Sequence, residues 1–138
     1  MHLDRAHRTP GIYCLLVALP RPCRISVGAL GMIEFARGFY AYVGSAMGGL
    51  RGRIDRHLRR EKCVRWHIDY LLEKGRVQEV IYAPTDERLE CRLAQGLEHV
   101  FRSIPGFGSS DCRCPSHLFY AEDLGELREE ATAVFKGS

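Results

Sequence analysis

GIYCLLVAL, residues 11–19, and FYAYVGSAMGGLRGRIDRHL, residues 39–58, decide how this chain is read. The first is apolar almost throughout and rich in β-formers, so it predicts a buried strand that stops at Pro20–Arg21–Pro22. The second opens as a strand and is broken at Gly44–Ser45 and at Gly48–Gly49. It then passes into a helical pattern in which Leu50, Ile54 and Leu58 recur every four residues. Between the two, CRISVG and MIEFARG flank Ala29–Leu30–Gly31, the pattern of a hairpin inserted over Arg21 to Gly38.

Downstream, residues 64–74 predict a second helix with Ile68, Leu71 and Leu72 inward and Gly75 as its stop. Val77 to Ala83 predicts one more strand. Thr85 then reads as the cap of a third helix whose apolar residues are Leu89, Leu93, Leu97, Val100 and Phe101. Ser103 to Ser116 reads as a structured loop. The expected fold is α+β: a small, mainly antiparallel sheet flanked by three helices, with an inserted hairpin. Residues 1–10 read as a loose leader, 11–121 as a single domain, and 122–138 as a short, acidic, mildly helical tail.

A length of 138 residues suits one domain, and 46% hydrophobic with 27% charged residues excludes a disordered or fibrous chain. No apolar run approaches the ~18 residues of a membrane span, and MHLDRAHRTP lacks the apolar segment of a secretory signal. The expected setting is therefore the cytoplasm, without membrane, and with the six cysteines reduced. The net charge of +3 conceals a segregation, since Arg51 to Arg65 carries seven basic residues against Asp55 and Glu61. A local basic face suggests a polyanionic partner.

Arg53, Arg56, His57 and Arg60 fall on one face of the first helix, which reads either as a solvated surface or as a phosphate grip. The glycine turn just before it, where backbone can approach a phosphate closely, favours the grip. Glu90 falls inside the apolar arc of the third helix. A carboxylate there needs a partner, so Glu90 reads as either a structural ion pair with an arginine or a functional acid. Tyr13 and Tyr42, on strands, read by themselves as packing residues with satisfied hydroxyls. Cys112, Cys114 and His117 are candidate zinc ligands, with Cys91, Cys63 or His67 as a fourth; alternatively the two cysteines are small apolar side chains in a folded loop.

In their order, Gly11–Ile12–Tyr13, Tyr42–Val43–Gly44, Arg53, His57 and Glu90 resemble the GIY-YIG nuclease superfamily. The HIDYLL and GSSDCRCPSHLF runs are similar to those of its small stand-alone Uri-type branch. The resemblance spans Gly11 to about Ile104. It implies a metal-dependent endonuclease acting on DNA, in repair or mobile-element processing, with Mg²⁺ (or Mn²⁺) on Glu90. Tyr13, Tyr42 and Arg53 would surround the scissile phosphate, with His57 or His67 assisting. Gly44, Ser45, Arg51, Arg56, Arg60 and His67 are the expected nucleic-acid contacts. The sequence departs from the family in its long spacing between the two motifs. It also lacks an Asn after the Glu helix, for which Ser109, Ser110 or Asp111 are the candidate replacements. The alternatives are a non-catalytic nucleic-acid-binding module and a zinc-stabilised interaction domain.

Overall fold

β1 (Gly11–Leu19) runs between β4 (Gly38–Ala46) and β5 (Arg76–Pro84), antiparallel to both. The computed structural model describes residues 9–59, 63–109 and 112–137. Two short strands, β6 (Arg102–Ser103) and β7 (Leu118–Ala121), complete a five-stranded antiparallel sheet in the order β5-β1-β4-β7-β6. The inserted hairpin is a separate two-stranded sheet, β2 (Cys23–Ser26) and β3 (Met32–Phe35), turned by a single 3-10 turn at Gly28–Leu30.

Both faces of this sheet are covered, which explains why β1 is apolar at nearly every position. Tyr13, Leu15, Val17 and Leu19 face one core with Leu50 of α1 (Leu50–Leu58), Ile68 and Leu71 of α2 (His67–Leu72), and the hairpin's Ile25 and Phe35. Ile12, Cys14 and Leu16 face a second core with Leu93, Ala94 and Leu97 of α3 (Glu90–Glu98) and Leu127 and Ala131 of α4 (Leu124–Lys136). A strand buried on both sides loses its alternation.

Among the described residues four α-helices form, where the sequence pattern predicts three. The acidic tail is a 13-residue helix, α4, whose N-cap Asp123 accepts a hydrogen bond from the Glu126 backbone at 2.9 Å. Its acids Glu126 and Glu129 are exposed while Leu127 and Ala131 are buried, so the acidity marks the wet side of an amphipathic helix. Arg128 ties it to β5 through Glu79 at 2.7 Å.

One helix start and two helix ends also differ from expectation. Thr85 does not cap α3; its hydroxyl accepts from the Glu87 backbone at 3.1 Å in a turn of its own, and the helix begins at Glu90. Val100, expected inward, lies past the helix end and is exposed. In α1 the predicted stripe ends early, with Leu58 exposed and His57 buried in its place. No helix among the described residues is long and apolar enough to cross a membrane.

Candidate functional site

Antiparallel pairing sets Tyr13 directly opposite Gly44, so the two sequence motifs meet across one rung of the sheet. The tyrosine ring lies over the glycine. A Cβ at Gly44 would stand 2.5 Å from the Tyr13 hydroxyl oxygen and 2.6 Å from Cζ. Gly44 is thus the space in which Tyr13 sits. Gly44→Ala is expected to lower stability by ~1–3 kcal/mol through overpacking and to displace the Tyr13 ring. Denaturant unfolding and the near-ultraviolet tyrosine signal check both effects.

Tyr13 and its neighbours open onto a cleft of about 630 Å³. Tyr42, Gly44 and Ser45 reach it from β4, Arg53 from α1, and His67 from the start of α2. Glu90 and Arg88 line it from the approach to α3, with Arg65 and Trp66 from the segment before α2. Three arginines against one glutamate leave the lining of this cleft net positive.

Arg53, Tyr13 and His67 are each held. Arg53 donates from Nη1 to the Ser45 carbonyl at 3.0 Å, and its guanidinium lies 4.5 Å from the Trp66 ring centroid. Tyr13 Oη and His57 Nε2 are 2.7 Å apart, with His57 buried behind the tyrosine. Burial pushes the Tyr13 hydroxyl up to about 12, against the lowering pull of Arg53. The Tyr42 hydroxyl is raised as well, by burial first and then by Tyr13. His67 accepts a hydrogen bond at Nδ1 from the Gly108 backbone at 2.8 Å, and desolvation lowers its pKa.

Glu90 is the unsatisfied member. Its Oε2 is buried and has no hydrogen-bond partner among the described residues. It stands in the first turn of α3, where the helix dipole favours an acid, rather than a turn further in as its place in the apolar arc predicted. The dipole accounts for the charge but leaves the oxygen unpaired. A carboxylate that lines a polar cleft and keeps one oxygen unpaired could hold a hard divalent cation.

The structure divides the predicted basic face. Arg56 does not line the cleft. It clasps the fully buried Asp69 with both guanidinium nitrogens, at 3.0 and 2.9 Å, and covers Trp66 at 4.2 Å. Burial raises the Asp69 carboxyl, but Arg56 and the backbone N–H groups of Trp66 and Arg65 outweigh it and hold the pKa below 3.8. Arg56 is therefore a packing residue, because α2 offers it a carboxylate that no helical wheel of α1 contains. Arg51 pairs instead with Asp55 at 3.0 Å, outside the cleft. Arg60, Ser110 and Asp111 lie outside the described residues, and Ser109 is buried.

A family model described as "Domain of unknown function DUF123" matches residues 12–138. The chain belongs to the DUF123 family. The match covers the sheet, the cleft and α4, so in this DUF123 protein the C-terminal helix lies within the family's span. No curated protein and no solved structure matches it.

Beside the cleft, this DUF123 chain gathers Cys91, Cys112, Cys114 and His117, whose ligand atoms all lie within 4.8 Å of one another. The cluster can hold a metal ion. Cys91 supplies the fourth position, rather than the exposed Cys63 or the cleft-lining His67. Burial raises the Cys91 thiol, and the thiols of Cys114 and Cys112 raise it further. Spacing alone left three candidates for this position, because Cys91 lies 21 residues before Cys112 and only the fold brings them together.

Sequence reasoning passed over Arg65, Trp66 and Arg88. Trp66 carried a signal as the one tryptophan of the chain, set between basic residues. Arg88 carried none, since it lies in an irregular turn that only the β5–α3 connection aims at the cleft.

Proposed function

We propose that this protein is a metal-dependent endonuclease that hydrolyses DNA phosphodiester bonds in the cleft. One observation carries the reading: two tyrosines, an arginine and a carboxylate with one oxygen unpaired among the described residues, drawn from β1, β4, α1 and α3, converge on one basic cleft. Those are the residues through which the chain resembles the GIY-YIG superfamily.

Glu90 would hold the divalent cation, Mg²⁺ or Mn²⁺, which when bound neutralises charge on the leaving oxygen. Arg53, already fixed by the Ser45 carbonyl and Trp66, neutralises charge growing on the phosphate. A tyrosine with a pKa pushed up to about 12 is a poor base alone. Hydrogen-bonded to His57 Nε2, it acts as a relay: the Tyr13 oxygen takes the proton of the attacking water while its own proton passes to His57. Tyr42 positions the phosphate, and Arg65, Arg88 and His67 hold the flanking strand. Zinc suits the Cys91–Cys112–Cys114–His117 cluster, because thiolates and imidazole select it over the hard cation that suits Glu90.

The test is cleavage of a panel of nicked, flapped, branched and single-stranded DNAs with Mg²⁺ or Mn²⁺. Wild type is expected to cut at least one of them. Arg53→Ala should lose on the order of a hundredfold or more in turnover while keeping its circular dichroism. Binding should weaken steeply with salt as phosphate contacts release counterions. Salt-dependent binding with no cleavage of any member would favour a non-catalytic nucleic-acid-binding module. Unchanged turnover in Arg53→Ala would remove this arginine from the mechanism.

A further inference from the structure

Residues 90 and 91 are neighbours in the chain, and their side chains enter two adjoining sites, the cleft and the cysteine cluster. Glu90 lines the cleft, keeps one buried oxygen unpaired and acts electrostatically on Cys114 and His117, while Cys91 joins Cys112, Cys114 and His117 in the cluster itself. The four ligands come from three separate pieces of chain: the first turn of α3, the loop after β6, and the residue before β7. Two of them, Cys112 and His117, also line the cleft.

The separations suit one small ion. With bonds of ~2.3 Å to sulfur and ~2.0–2.1 Å to nitrogen, tetrahedral zinc places a thiolate and an imidazole ~3.6 Å apart. His117 Nε2 lies 3.8 Å from Cys91 Sγ and 3.5 Å from Cys112 Sγ. Four protein ligands fill a tetrahedral shell and leave no open position, so such an ion is structural and takes no part in hydrolysis.

The loop that brings two of these ligands is also tied to the cleft. His117 donates its N–H to the Phe107 carbonyl at 2.8 Å and accepts from the Val43 N–H at 3.0 Å, beside Tyr42. Gly108, at φ +71°, lies so close to Tyr42 that a Cβ there would stand 2.9 Å from the ring. Cys91 is a polar link from α3 to this loop, through contacts with Cys112, Cys114 and His117. Glu90 is bonded to Cys91 in the first turn of α3, so the link that holds Cys91 also places the Glu90 backbone.

We infer that a zinc ion on Cys91, Cys112, Cys114 and His117 acts as a positioning device, pinning the start of α3 to the loop so that Glu90 presents its carboxylate to the cleft. The inference rests on the zinc and Glu90 readings proposed above, and its experiment separates the three. Cys91, Cys112, Cys114 and His117 are positioning residues in this scheme; none touches the reacting atoms.

Zinc content would be measured by elemental analysis on the full chain as purified, and a second portion would be stripped of zinc with EDTA. Mn²⁺ affinity would then be measured by electron paramagnetic resonance on wild type, Glu90→Gln, Cys91→Ser and Cys112→Ser/Cys114→Ser. Wild type is expected to retain one zinc per chain and to bind Mn²⁺ at a site that Glu90→Gln abolishes. Both cysteine variants should lose the zinc, keep their circular dichroism, and bind Mn²⁺ roughly 10- to 100-fold more weakly, the usual cost of losing a group that orients a metal ligand. Wild type stripped of zinc should show the same weakening, and reloading should reverse it.

Zinc loss with unchanged Mn²⁺ affinity overturns the positioning role alone. A wild type without zinc overturns the zinc reading and this inference with it. A zinc-loaded wild type whose Mn²⁺ binding ignores Glu90→Gln overturns the Glu90 reading and this inference, leaving the zinc. Unfolding of both the cysteine variants and the stripped wild type overturns the local role, since the ion would then be holding up the whole fold.

Discussion

Glu90→Gln is expected to lower DNA cleavage on the order of a hundredfold or more while the melting temperature stays within a few degrees of wild type. The substitution keeps the side chain's volume and removes the charge that draws a divalent cation. Its cost to the fold is small, because Oε2 makes no hydrogen bond among the described residues. What the fold gives up is the attraction between a first-turn carboxylate and the α3 dipole, about 0.3–1 kcal/mol. Relief of a buried, unpaired oxygen offsets it. DNA binding should hold or tighten, since one anionic group leaves a cleft otherwise lined by Arg53, Arg65 and Arg88. A structural ion pair would give the opposite result, with lost stability and activity falling only as the protein unfolds. Melting temperature and turnover measured on one preparation distinguish them; a destabilised variant with normal turnover per folded molecule would sink the site as drawn.

Arg56→Ala is expected to have the largest effect on stability, roughly 3–5 kcal/mol. It leaves Asp69, fully buried, without the guanidinium that clasps both its oxygens at 3.0 and 2.9 Å. The loss should be pH-dependent, and its sign follows from the carboxyl. Because the folded-state pKa of Asp69 is held below 3.8, the ion pair contributes stability that is present above that value. That contribution disappears as pH falls through the folded pKa. Wild type and Arg56→Ala should therefore differ most near neutrality and converge in acid, as the carboxylate of Asp69 is protonated in both. Denaturant midpoints at pH 7 and at pH 3 check it. Turnover per folded molecule should remain near wild type, since Arg56 lies outside the cleft. A variant of wild-type stability that loses only DNA affinity would return Arg56 to the nucleic-acid surface.

Local chemistry made much of this molecule legible in one dimension. β1 was readable because a strand covered on both faces, with eight of its nine residues buried, leaves an unbroken apolar run. The inserted hairpin was readable because a two-stranded ribbon closes on residues adjacent in sequence. Tyr13, Tyr42, Arg53 and Glu90 could be singled out because each stands in or beside a motif whose order along the chain is itself a signal, and all four do line one cleft. The acidic C-terminal segment was harder to read. Charge dominates its composition, and its helix is stabilised by Leu127 and Ala131 packing on a sheet that is distant in sequence.

Tertiary structure alone decided which charges are spent and which are left over. Arg53 and Arg56 are one turn apart on α1 and alike by any sequence measure, yet one faces the cleft and the other is consumed by Asp69, 13 residues downstream. Glu90 lines the cleft and Cys91 joins the metal-ligand cluster because α3 begins between a cleft and a cysteine-bearing loop. Spacing cannot show where a helix lands. Periodicity reports which face of an element is apolar, a property of neighbouring residues. Partnership between buried polar groups depends on distances across the fold, where a hydrogen bond forms or fails within a few tenths of an ångström.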